Sequence, residues 1–86
     1  MGKGIARRYI LFLMEGFQQN KLKKLSKEKW SIYQQAFKIA SKELEAEGYL
    51  DLNASLDQIK KRIANKQSIE QPDILDLRKI IKILGE

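Results

Sequence analysis

The densest group of side chains able to do chemistry is a lysine cluster before Trp30. The cluster consists of Lys21, Lys23, Lys24, Lys27 and Lys29. Ser26 is a good N-cap for a helix that starts at Lys27, so backbone N–H groups and ammonium groups are expected at one place, which suits phosphate. If each of the five lysines neutralised one phosphate, log affinity would fall with log salt at a slope of about −4 to −5.

Arg7 and Arg8 lie upstream and add to this charge. Residues 1–38 contain nine basic and two acidic residues, a net of +7, whereas residues 39–86 contain eight basic and nine acidic, a net of −1. This asymmetry favours an acidic partner, with nucleic acid as the first candidate. Thirteen lysines and four arginines predict contacts to phosphates with weak sequence preference, because arginine is the side chain that reads guanine edges.

A second basic face is predicted along the third helix. Its members are Lys60, Lys61, Arg62 and Lys66. For both basic groups the alternative interpretation is an exposed, solvated surface that keeps a small domain in solution.

Trp30, Tyr33 and Phe37 follow the lysines at helical spacing. Next to a basic group they could form a platform on which the bases of a single strand stack. The same spacing is typical of an apolar stripe that faces a protein core, and we favour the core for this set. Trp30, in the first turn, is expected to be the most exposed of the three.

The chain contains neither cysteine nor histidine. It therefore lacks the commonest general base, the thiolate nucleophile and the usual ligands of transition metals. Residues 51–57 carry oxygen ligands at alternate positions, but a calcium loop needs glycine where Leu56 stands and glutamate where Arg62 stands. We expect a protein that is not an enzyme, with no catalytic residues, metal or cofactor.

The elements that must position these side chains are predicted to be four helices, at about 5–20, 27–47, 56–66 and 70–84. Ser55 and Ser68 each begin a capping-box pattern, and Gly48 is suited to ending the second helix. With short connections the chain is expected to be all-α, a single domain over 1–86. We predict a compact four-helix bundle or an orthogonal four-helix domain.

The first helix contains an uninterrupted apolar run from Tyr9 to Met14. A helix with almost no polar side is expected at the centre of the fold. The residues predicted to face the core are Ile5, Tyr9, Phe12, Leu13 and Phe17. Gly16 weakens the helix but would allow another helix to approach closely.

Nothing in the sequence approaches the roughly 20 apolar residues of a membrane span. The apolar run after Arg8 is six residues long and is followed by Glu15, without the small-residue cleavage site of a signal peptide. We therefore expect a cytoplasmic location and no membrane insertion.

Two function classes remain open at this stage. The first is a nucleic-acid-associated accessory or regulatory protein that uses Arg7, Arg8, the lysine cluster and Trp30. The second is a protein–protein interaction module, such as an inhibitor, adaptor or immunity-type bundle, with an exposed apolar helix face and an acidic protein or a second copy as its partner. The apolar surfaces of the first and last helices motivate this alternative.

Overall fold

The computed structural model describes residues 2–20, 24–66 and 68–85, and 89% of them are helical. The four helices are α1 (Gly2–Asn20), α2 (Lys27–Ala46), α3 (Leu50–Lys66) and α4 (Gln71–Gly85). Within these ranges there is no strand, and the backbones of Lys24 and Ser68 form an isolated antiparallel bridge. The predicted all-α class is confirmed.

Successive helices run in opposite directions. The start of α1 lies beside the end of α2, where the Gly2 N–H donates to Glu47 Oε1 at 3.0 Å. Both α1 and α3 pack against α2 and α4. The longest dimension of the fold is 33 Å, close to the ~30 Å length of a 20-residue helix. The helices are therefore aligned along one axis, as in a four-helix bundle.

The buried side of α1 differs from the predicted one. It consists of Gly2, Ala6, Ile10, Leu13 and Phe17. Ile5 and Phe12, which were expected in the core, are 41% and 46% exposed. Because every residue from Tyr9 to Met14 is apolar, hydrophobicity alone does not determine how the helix is rotated.

The central position predicted for α1 is also wrong, because α1 packs on two neighbours and leaves one apolar side uncovered. The apolar run of α1 does not make it a membrane-spanning helix. Across the described parts of the chain, each helix is too short or too polar to cross a bilayer.

Gly16 brings α1 and α2 close together, as expected. A Cβ at this position would lie 2.8 Å from Tyr33 Oη, so any larger residue must displace the tyrosine. The Phe17 and Tyr33 rings meet edge to face with centroids 4.8 Å apart. Asn20 donates from its side chain to the Gly16 carbonyl at 2.7 Å and to Tyr33 Oη at 3.3 Å. Burial raises the pKa of Tyr33.

The predicted end of α2 is confirmed. Gly48 has a φ of 84°. Its N–H donates to the Glu45 carbonyl at 3.1 Å, and the Tyr49 N–H donates to the Leu44 carbonyl at 2.9 Å. These are the two hydrogen bonds of a Schellman motif, which needs a residue in the left-handed region.

The start predicted for α3, with Ser55 as its cap, is wrong by about one and a half turns. The helix begins at Leu50, and the Tyr49 carbonyl already accepts from the Asn53 N–H at 3.0 Å. The connection at Gly48 therefore leads directly into the first helical turn of α3. Asn53 also accepts a hydrogen bond from the Ser41 hydroxyl, which fastens α3 to α2.

The capping box predicted at Ser68 is also wrong. The residue before α4 is Glu70, whose N–H donates to Asp73 Oδ2 at 3.1 Å, and Pro72 occupies the first turn. Asp73 therefore supplies the side chain that reaches back to the cap. Ser68 instead forms the backbone bridge with Lys24.

Candidate nucleic-acid interface

One end of the bundle, where α1 ends and α2 begins, carries a group of exposed cations. The group consists of Lys24, Lys27 and Lys29, and together with the neighbouring Trp30 we call it the basic end. All three lysines are exposed, and within the described ranges none of them forms an ion pair with a carboxylate. Lys21 and Lys23, also predicted for this cluster, lie outside the described residues.

The N-terminus of α2 lies in the middle of the basic end. Ser26 has an extended backbone (φ −71°, ψ 161°), and its hydroxyl accepts from the Lys29 N–H at 3.2 Å, as an N-cap does. The first backbone N–H groups of α2 face the same end of the bundle as the lysines. Glu28 in the first turn lowers the net charge there by one. The remaining charge is positive, and the end is suited to an anion.

Lys29 is held in place by the end of α1. Its Nζ donates to Asn20 Oδ1 at 2.6 Å. Because asparagine is neutral, this contact orients the ammonium group without cancelling its charge. The lysine therefore loses less side-chain freedom when it binds an anion.

Trp30 is the one aromatic residue of the predicted stacking set with accessible surface. Tyr33 and Phe37 are buried in the core, which supports the core interpretation for these two residues. Trp30 is half-buried, with its ring 6.4 Å from that of Phe37, and it lines a small cleft with Leu25 and Lys27. Its outer part lies beside the lysines.

Arg7 and Arg8 do not join the basic end. They lie 12 to 13 residues before the end of α1, a distance of about 20 Å along the helix. The Arg7 guanidinium lies beside Gly85, with Nε 3.4 Å from the position of a Cβ on that glycine, where it complements the negative end of α4. Arg8 is exposed at the edge of a groove between α1 and α2.

The second predicted basic face is largely neutralised by ion pairs. Arg62 donates from Nε to Asp73 Oδ1 at 3.0 Å and from Nη2 to Asp76 Oδ2 at 2.7 Å. Asp73 is only 2% exposed. The hydrogen bond with Asp73 raises the pKa of Arg62. Arg62 therefore holds α3 against α4, and a phosphate would have to break this contact to reach it.

The lysines of this face are also close to carboxylates. Lys61 pairs with Asp57 at 3.1 Å, and Lys66 pairs with Glu70 at 2.9 Å. Lys60 is half-buried in a cleft between α2 and α3 that Asp57 also lines. The basic face predicted on α3 therefore does not extend the basic end as a surface for anions.

An exposed apolar groove between α1 and α2 was not predicted from the sequence. Its lining residues are Arg8, Tyr9, Phe12, Ile32, Gln35, Ala36 and Ile39. Ile32 is 55% exposed. The signal was the spacing of Ile32, Ala36 and Ile39, which places a second apolar line beside the core stripe of α2.

Comparisons of the chain with protein-family models, with curated proteins and with solved structures gave no match. In the described ranges, no group of three acidic side chains is arranged to hold a metal ion.

Proposed function

We propose that the protein is a non-enzymatic, cytoplasmic, nucleic-acid-associated accessory or regulatory protein that contacts phosphates through its basic end. One observation carries this proposal. Lys24, Lys27 and Lys29 are exposed around the N-terminus of α2 beside Trp30, without a carboxylate partner in the described ranges. Ammonium groups and backbone N–H groups at one place favour a phosphate.

The residue types determine the expected mode of binding. Lysine contacts a phosphate as a point charge, so affinity depends on salt more than on sequence. Trp30 adds a π-face on which an unpaired base can stack. We therefore expect binding to single strands to be at least as tight as binding to duplexes of the same length.

The test uses Trp30, the single tryptophan of the chain, as its own reporter. Its fluorescence is titrated with single-stranded and duplex DNA at low and at moderate salt. We expect quenching by single strands at low salt and a weaker affinity at moderate salt. Polyglutamate, which offers carboxylates instead of phosphates, is the competitor that would identify an acidic protein as the better partner. The absence of binding to either DNA at low salt would contradict the proposal.

A charge-matched pair of variants locates the interface. Lys24→Glu with Lys27→Glu should weaken binding by at least tenfold, because two contacts become repulsions. Lys38→Glu with Lys79→Glu changes the net charge equally at exposed positions away from the basic end, and should weaken binding far less. Both double variants should keep the helical circular dichroism spectrum of the unmodified protein. Equal losses would indicate that only net charge matters, against a defined site.

A further inference from the structure

The side of the bundle formed by α1 and α2 is apolar along its middle. Ile5, Tyr9 and Phe12 follow one another on α1, and Ile32 and Ile39 run along α2, with about half of Ile5, Phe12 and Ile32 exposed. Proteins that stay monomeric seldom leave so continuous an apolar strip uncovered. We call this side, with the groove at its centre, the apolar face.

Charged residues border the apolar face, and their order along the helices is regular. On α1, Arg8 and Glu15 are seven residues apart and so lie on the same side of the helix. On α2, Glu28 and Lys42 lie seven residues to either side of Gln35, which itself lines the groove. All four charges are exposed, and in the described ranges none of them forms an ion pair.

The two signs lie at opposite ends of the face. Because α1 and α2 run in opposite directions, Glu15 and Glu28 lie toward the end of the bundle that contains Asn20, whereas Arg8 and Lys42 lie toward the other end. Among these four residues, the negative charges therefore lie toward one end of the face and the positive charges toward the other, with the apolar strip between them.

We infer that the apolar face binds a second copy of this chain in an antiparallel, two-fold symmetric dimer. When two such faces meet with their bundles antiparallel, Arg8 of each copy lies opposite Glu15 of the other, and Glu28 lies opposite Lys42. In the parallel arrangement Arg8 would meet Lys42 and Glu15 would meet Glu28, so like charges would repel. These four charges are complementary to those of a second copy in the antiparallel orientation alone, as an isologous interface requires.

The size of the apolar face is compatible with the binding of a second copy of the chain. The whole side measures 33 by 20 Å, about 660 Å², so two copies would bury at most about 1,300 Å² in total, near the lower end of specific interfaces. Phe12 lies near the two-fold axis, at the centre of the apolar strip, and supplies an aromatic anchor. The charged border fixes the orientation and contributes little affinity.

The first experiment measures the mass of the full chain by sedimentation at micromolar to millimolar concentration, without nucleic acid. We expect a concentration-dependent dimer, and Phe12→Asp should be monomeric with unchanged helical circular dichroism. Arg8→Glu should raise the dimer Kd about tenfold, and adding Glu15→Arg should restore it, because the pair is rebuilt with its signs exchanged. In a parallel dimer Arg8→Glu would instead tighten association.

Cross-linking gives a geometric check, since the chain has no cysteine of its own. Gln35→Cys should form a disulfide-linked dimer, because the two Gln35 positions meet near the axis in the antiparallel arrangement only. Lys79→Cys, on α4, is the matched exposed control and should stay unlinked. A strict monomer at millimolar concentration, tighter association of Arg8→Glu, or equal cross-linking at both positions would overturn the inference.

Discussion

The pair α1–α2 and the pair α3–α4 are held together by different chemistry. Between α1 and α2 the contact is a glycine against a tyrosine, with an aromatic edge-to-face pair beside it. Between α3 and α4 it includes Arg62 held by Asp73 and Asp76. Several charges of the α3–α4 pair are satisfied by ion pairs within α3, α4 and their connection, whereas within the described ranges no ion pair joins α1 to α2. We propose that the first pair offers the surface for binding and that the ion pairs of the second align its helices.

The partly buried ion pair between Arg62 and Asp73 helps to explain this division. Such a pair adds little stability compared with an apolar pair of similar size, but loss of Arg62 would leave the buried Asp73 carboxylate without a counter-charge. It therefore fixes how α3 and α4 are aligned. The Asp73 carboxylate also accepts from the Glu70 N–H, so one side chain both caps α4 and pairs with α3.

The largest expected effect is on the stability of the fold, and it distinguishes the buried side of α1 from its exposed side. Leu13 is fully buried, and Leu13→Asp should unfold the domain, because an unpaired carboxylate in the core costs more than about 4 kcal/mol. Phe12→Asp, one residue earlier on the exposed side, should remain folded. Thermal unfolding followed by circular dichroism measures both. A folded Leu13→Asp with an unchanged Tm would contradict the burial of this side.

The second effect tests the α3–α4 pair. Asp73→Ala removes one partner of Arg62 and the carboxylate that accepts from the Glu70 N–H, and should lower the free energy of unfolding by about 1 to 2 kcal/mol, because Asp76 still pairs with the partly exposed Arg62. Asp57→Ala removes an exposed i,i+4 partner of Lys61 and should cost no more than about 0.5 kcal/mol. Urea denaturation of the two variants gives the comparison. Equal stability of the two variants would contradict the role of Asp73 in pairing with Arg62 and capping α4.

The third effect tests the α1–α2 contact. Gly16→Ala gains helix propensity, but its Cβ must displace the Tyr33 ring, so we expect a net loss of about 1 to 2 kcal/mol. Gly4→Ala is the control on the same helix, because a Cβ there meets nothing within 4 Å, and it should stabilise by a few tenths of a kcal/mol. Stabilisation by both substitutions, measured in urea, would show that the two helices are not in close contact at Gly16.

Among the features that local sequence determines, the bounds of α2 were predicted correctly, whereas the capping boxes at Ser55 and Ser68 were not. The bounds of α2 follow from a regular apolar spacing between Ser26, which caps one end, and Gly48, which terminates the other. Each of these signals lies within a few residues of the feature it produces. The all-α class follows in the same way from the apolar spacing of the helices.

The features that depend on tertiary contacts were not predictable. The rotation of α1 is set by which residues meet α2 and α4, and the apolar run permits several rotations. The pairing of Arg62 with Asp73 joins residues 11 apart on different helices, and periodicity carries no information about it. The lysines were recognised as a basic group from the sequence, but the separation of Arg7 and Arg8 from that group depends on helix length and direction.

The most direct test of the proposed division is the salt dependence of DNA binding in charge-matched variants. The first variant combines Lys24→Gln, Lys27→Gln and Lys29→Gln. The second variant combines Lys61→Gln, Lys66→Gln and Lys79→Gln. The slope of log affinity against log salt should become shallower by roughly 2 to 3 in the first and change by less than about 1 in the second. Equal changes in the two slopes, or a larger change in the second, would contradict the assignment of binding to the α1–α2 pair.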